Sequence, residues 1–143
     1  MTVDKCRQSG LTGRALREFA MSELDKLEGF DWSGIYRLEG DQLVLDAFVG
    51  APTEHTHIPV GRGVCGTAVA EDRDQIIDDV HALDNYLACS LETKSEAVVL
   101  IRSNGEVVGQ IDIDSHTRGR FGPAEVAMLE ELAALLGERW GEP

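Results

Sequence analysis

The chain has 143 residues, 43% of them hydrophobic, which suits one domain (residues 1–143, core about 11–140) with a real core and excludes a disordered chain. Thirteen basic against 26 acidic side chains give a formal charge of −13, which repels nucleic acid and anionic membrane surfaces. No apolar run follows Met1-Thr2-Val3-Asp4-Lys5 and no stretch reaches the length of a membrane span, so a cytoplasmic protein is expected, with its three cysteines as thiols.

In chain order, the first ten residues read as a polar tail in which Cys6 is incidental. Residues 11–28 read as an amphipathic helix, with Leu11, Leu16, Phe19, Leu24 and Leu27 roughly on one face and Gly29 as its stop. Residues 32–38 and 42–49 alternate around the turn Glu39-Gly40-Asp41 and predict a hairpin. Residues 55–59 give a short third strand. A glycine-punctuated loop, Pro59-Val60-Gly61-Arg62, then runs into a short helix over 63–70. Residues 75–77 form a brief strand, followed by an irregular stretch over 78–93.

Residues 97–102 and 107–113 are strands joined by Ser103-Asn104-Gly105, a turn that needs positive φ. The last helix starts at Gly122-Pro123, where proline's missing N–H does no harm. Its apolar stripe is Val126, Leu129, Leu132, Leu136 and Trp140. This order describes an α+β fold, an antiparallel sheet flanked by amino- and carboxy-terminal helices. Apolar surface left over on the terminal helices either caps the monomer core or pairs with a second copy.

Two cysteines sit in segments that look chosen for a site. Cys65 lies in Gly63-Val64-Cys65-Gly66-Thr67, near a predicted helix start and close to Arg62, where the helix dipole favours an anion. Cys89 lies in the polar segment Tyr86-Leu87-Ala88-Cys89-Ser90. As a pair they suggest redox chemistry; taken singly, free cysteines are often buried small hydrophobes. A second constellation is acidic. Asp112 and Asp114, two apart on a strand, share one face while Ile111 and Ile113 take the other, and Glu96 opens the preceding strand. Such carboxylates either face solvent or grip a cation. Zinc held by His55, His57, His81 and the cysteines lacks any ligand spacing, so no metal is expected; a cysteine hydrolase lacks a local signature. Trp32 and Tyr36, four apart on the first strand, share a face that walls either an apolar pocket or the core.

The ordered set Trp32-Ser33-Gly34-Ile35-Tyr36, Leu43-Val44-Leu45, Pro59-Val60-Gly61-Arg62-Gly63-Val64-Cys65-Gly66-Thr67-Ala68, Asp79-Val80-His81, Ala88-Cys89, Ser95-Glu96 and Asp112-Ile113-Asp114-Ser115 resembles the free methionine-(R)-sulfoxide reductases, which are stand-alone GAF domains. The resemblance implies reduction of free methionine R-sulfoxide with a thioredoxin-type electron donor; no cofactor is expected, and the homodimer expectation rests on the terminal helices. The resemblance also implies Cys89 as the thiol that attacks the sulfoxide sulfur and Cys65 as the resolving thiol, joined afterwards in a Cys65–Cys89 disulfide. Glu96, Asp112 and Asp114 then hold and polarise the substrate, and Trp32 and Tyr36 line its pocket. Departures are His55 where many members carry a third cysteine, Ser90 for a common aspartate, Leu100 for a common proline, and Asn85-Tyr86 for a glycine-histidine pair. The alternative is a non-catalytic GAF module that binds a small ligand or senses redox state.

Overall fold

The computed structural model describes residues 2–83 and 92–141. Its elements are helices α1 (Thr2–Gln8) and α2 (Gly13–Asp25), strands β1 (Trp32–Glu39), β2 (Gln42–Val49) and β3 (His57–Pro59), helix α3 (Gly63–Glu71), strands β4 (Gln75–Ile77), β5 (Ser95–Ser103) and β6 (Glu106–Ser115), and helix α4 (Pro123–Glu138). A single turn of 3-10 helix covers Val80–Ala82. Among the described residues the strands form one antiparallel sheet in the order β3-β2-β1-β6-β5-β4. The central pair β1–β6 brings the two sequence-local hairpins together.

Both hairpin turns follow from their residues. Gly40 has φ 64° between β1 and β2, and Asn104 and Gly105 have φ 54° and 82° between β5 and β6, the left-handed pair that an Asn-Gly turn supplies at little strain. Proline opens α4, and the Glu125 carboxylate accepts a hydrogen bond of 3.0 Å from the Gly122 N–H, one of the amides the helix leaves unpaired.

Alternation along the strands sorts the sheet into two faces. One carries Ile35, Ala47, Ala97, Val99, Ile101, Ile111 and Ile113, which pack with Leu16, Ala20 and Leu24 of α2 and Leu129, Leu132 and Leu136 of α4. The other carries Trp32, Tyr36, Leu43, Val98 and Leu100, covered by Val64, Cys65 and Ala68 of α3. The helical face is the main core; the α3 face is smaller and holds the polar groups described below.

Two sequence expectations change. The amino-terminal tail is a helix: Val3 and Cys6 of α1 are buried in the main core, so Cys6 is a packing residue. The following helix is shorter than the apolar pattern suggested, Gly13–Asp25, though Leu11 and Leu27 beyond its ends still pack on the core. An unforeseen ionic anchor joins α2 to the sheet. Buried Arg17 donates to both oxygens of buried Asp46 on β2, at 2.6 and 3.2 Å, and to the Trp140 carbonyl at 2.6 Å, with its guanidinium over the Trp140 ring. Arg37 donates to the same carboxylate at 2.8 Å. Asp46 is thus paired twice, the condition under which a buried charge is tolerated.

Candidate active site

The site is built on the α3 face of the three neighbouring strands β1, β6 and β5. Cross-strand register sets Gly34 opposite Asp112 and Trp32 opposite Asp114 on β1 and β6. On the other side of β6, Glu96 is opposite Asp114 and Val98 opposite Asp112. Paired residues in an antiparallel sheet share a face, so Glu96, Asp112 and Asp114 form an acidic triangle with apolar neighbours. All three are buried, at 4%, 1% and 2% exposure. The solvated strand face allowed by the alternation is therefore excluded. The alternation assigned the carboxylates to a face, but only the long-range docking of α3 decides that this face is covered.

Helix α3 forms the roof. Gly61 and Gly63 adopt φ 95° and 65°, turning the chain from β3 sharply into the helix. Gly66 then lies against the loop it came from. Its carbonyl accepts from the Gly61 N–H at 2.8 Å, its N–H donates to the Arg62 carbonyl at 2.9 Å, and a Cβ there would meet the Pro59 carbonyl oxygen at 2.5 Å. This close approach presents Cys65, the third residue of α3, to the sheet. The Gln110 amide of β6 donates to the Cys65 carbonyl at 3.0 Å and fixes it from below.

The Cys65 sulfur and one carboxyl oxygen each of Glu96 and Asp112 lie within 4.8 Å of one another. They line a narrow recess of about 10 Å³, shared with His55, Ile58, Arg62, Gly63 and Val64. Burial, then the charges of Asp112 and Glu96 and a hydrogen bond to Asp112, push the Cys65 thiol well above its ordinary value of 9.0. The helix start and Arg62 do not make it a thiolate, because desolvation and the three carboxylates Asp112, Glu96 and Asp114 outweigh them. Burial also raises Asp112 above its ordinary 3.8, partly offset by hydrogen bonds from Glu96 and Cys65. Oδ1 of Asp112 is buried without a hydrogen-bond partner. The arrangement disfavours the charge on the Asp112 carboxyl beside a thiol and leaves one of its acceptor oxygens open, so it is suited to a ligand that brings a cation or a hydrogen-bond donor.

A GAF domain family model matches residues 8–138. The free methionine-R-sulfoxide reductase of Escherichia coli K12 is 43% identical over 112 residues, covering 78% of this chain and 67% of that protein. The type II free methionine-R-sulfoxide reductase of Thermoplasma acidophilum has a solved structure with a TM-score of 0.84 at 36% identity, covering 96% of this chain and 93% of that one. The free methionine-R-sulfoxide reductase of Neisseria meningitidis, solved in complex with its substrate, superposes with a TM-score of 0.91 at 33% identity, over 97% of this chain and 86% of that one.

The chain belongs to the free methionine-R-sulfoxide reductase family. Its fold is the GAF fold expected from the motif set, an α+β antiparallel sheet flanked by helices.

Of the residues that the family resemblance singled out, the structure brings Cys65, Glu96, Asp112 and Asp114 onto one covered face. Trp32 and Tyr36 stand on the same face as packed residues. The Trp32 indole N–H donates to the Ala51 carbonyl at 3.0 Å and its ring stacks on Phe48 with centroids 5.8 Å apart. The Tyr36 hydroxyl donates to the His55 carbonyl at 2.8 Å, which ties β1 to the segment entering the recess. Gly34 between them is required, because a Cβ there would collide with the Trp32 ring. Cys89 and the departures Asn85, Tyr86 and Ser90 lie outside the described residues. His57 and His81 are exposed and only His55 lines the recess. Among the described residues, Cys65, Glu96 and Asp112 are the group whose donor atoms converge closely enough to hold a cation. Gln110 was missed, although its place two residues before Asp112 on the same alternating face signals it.

Proposed function

We propose that this protein is an oxidoreductase that reduces free L-methionine (R)-S-oxide to methionine. The observation that carries the reading is the buried convergence of Cys65, Glu96 and Asp112 in a fold whose relatives bear that activity in their names. Glu96 and Asp114 receive the ammonium group of the amino acid, which only a free substrate presents, Asp112 faces the sulfoxide, and the aromatic pair Trp32 and Tyr36 walls its apolar chain.

In the proposed reaction the Cys89 sulfur attacks the sulfoxide sulfur while a protonated carboxyl, for which Asp112 is suited, donates to the sulfoxide oxygen. The oxygen then passes from the substrate sulfur to the Cys89 sulfur, the transient S–S bond breaks, methionine leaves reduced by two electrons, and Cys89 is left oxidised by two electrons as a sulfenic acid. The Cys65 thiol then displaces that oxygen as water and closes a Cys65–Cys89 disulfide. A thioredoxin-type dithiol reduces the disulfide and becomes a disulfide itself. The net change is sulfoxide plus two thiols to methionine, disulfide and water. His55 stands where a third cysteine is common, so recycling runs through Cys65 alone.

The reading includes a cytoplasmic setting and a homodimer formed through the terminal helices. Among the described residues no helix is long and apolar enough to cross a membrane, and Leu27, Phe30 and Met128 line an open groove between α1, α2 and α4.

The deciding experiment mixes reduced protein with one equivalent of free methionine R-sulfoxide and no reductant. Stoichiometric methionine and a Cys65–Cys89 bridge, mapped by mass spectrometry, are expected. No methionine with both thiols intact would replace the reductase with a ligand-binding GAF module.

A further inference from the structure

We propose that Gln110 is the positioning residue for the resolving thiol. The inference rests on the reading of Cys65 as that thiol, and on one juxtaposition: the Gln110 side-chain amide of β6 donates at 3.0 Å to the Cys65 backbone carbonyl on the opposite layer.

Gln110 has no exposed surface. Its strand neighbours are Tyr36 on β1 and Leu100 on β5, both buried in the apolar cluster under α3. A glutamine in such surroundings is costly unless its amide is used, and here Nε2 is used while Oε1 has no partner. The arrangement therefore sacrifices part of the amide's hydrogen-bonding capacity to keep one contact with Cys65. That contact bridges the layers at the residue where it matters. Cys65 belongs to α3, whereas the carboxyls its sulfur meets belong to β5 and β6. The Cys65 thiol itself is hydrogen-bonded to Asp112 of β6, whereas the backbone ties from Gly61 to the Gly66 carbonyl and from Gly66 to the Arg62 carbonyl run to the entry loop. Those ties fix α3 relative to the loop; Gln110 fixes Cys65 relative to Asp112, two residues along the same strand. Disulfide closure demands sulfur placement within a narrow range, so loss of the tie slows closure without touching the attack on the sulfoxide.

The test uses Gln110→Leu, which keeps the bulk and removes the donor. Single-turnover methionine release should stay within about twofold of the parent protein. Formation of the Cys65–Cys89 bridge should slow by about tenfold, the order expected for one buried hydrogen bond, and the sulfenic acid should accumulate and be trapped by a 1,3-dione. Bridge formation within twofold of the parent in a folded variant overturns the inference.

Gln110→Glu is the second variant and decides the matter if Gln110→Leu does not fold. A glutamic acid donates to the carbonyl only when protonated, so its bridge rate relative to the parent should fall as pH rises. The titratable groups on the same face and around the recess are Asp112 and Asp114 of β6, Glu96 of β5, Tyr36 of β1, His55 before β3, and Cys65 with Arg62 at the start of α3. They are common to both proteins and are accounted for in the ratio. A ratio independent of pH overturns the proposal. If the unsubstituted protein releases no methionine, the reductase reading itself fails; if it releases methionine and bridges normally while both variants match it, only the role of Gln110 fails.

Discussion

At the residue scale the two cysteines differ in what they need. A nucleophile needs thiolate character, while a resolving thiol needs proximity and can be deprotonated as it attacks. Cys65 is buried and pushed up by its surroundings, which fits the second role and not the first. Cys89→Ser should abolish methionine release, whereas Cys65→Ser should allow one turnover and then stall with a thioredoxin-type donor; quantifying methionine per protein checks both. Asp112 offers a sharper test because its charge is opposed by burial. Its folded value lies above the ordinary carboxyl value, so its contribution to stability is complete below about pH 4 and is lost as pH rises through the folded value. Asp112→Asn removes that loss. Urea midpoints should show the variant gaining on the parent as pH rises above about pH 4. Activity should fall by about 10²-fold or more, the scale of a lost general acid. A variant that is both less stable at pH 7 and fully active would contradict the placement of Asp112 as a strained functional carboxyl.

At the element scale, α3 is the part that turns a sheet face into a site, and Gly66 is its contact point. A Cβ at Gly66 meets backbone atoms of Pro59 and Gly61, at 2.5 and 2.9 Å, and backbone cannot swing aside as a side chain can. Gly66→Ala should therefore lift α3, costing about 1–3 kcal/mol by overpacking. It should also slow bridge formation along with Gln110→Leu; chemical denaturation and single-turnover kinetics read the two effects separately. The elements themselves were largely legible in the sequence. The hairpins announced themselves through Gly40 and Asn104-Gly105, the last helix through Pro123, and α3 through its glycine loop. Helix α1 was not legible, because Val3 and Cys6 offer only one apolar pair in a polar run, too little for a period. The site was half legible. Alternation put Asp112 and Asp114 on one face, but their burial depends on α3 crossing from the far side of the sheet, which no local pattern encodes. The same long-range docking reverses the local argument for a Cys65 thiolate.

At the scale of the whole molecule, the two sheet faces divide the work. The helical side holds the larger apolar core and the Arg17–Asp46 anchor; the α3 side concentrates buried polar groups whose strain that core must carry. The formal charge of −13 is the other global fact. Thirteen unbalanced negative charges repel one another across a small domain, where separations are comparable with the Debye length of about 10 Å at 0.1 M salt. Added salt should therefore raise the urea midpoint by screening that self-repulsion. The substrate behaves differently. A free amino acid near neutral pH is a zwitterion with no net charge, so the protein's long-range field neither attracts nor repels it as a whole. With a small uncharged dithiol as reductant, kcat/KM for methionine R-sulfoxide should change by less than about twofold between 0.02 and 0.5 M sodium chloride, because steering needs a net charge to act on. Stability that rises with salt while kcat/KM stays flat places the acidic excess in the background field and the recognition in the buried carboxylates. A steep fall in kcat/KM with salt would instead show that surface charge steers the substrate, and would move the recognition outward from Glu96, Asp112 and Asp114.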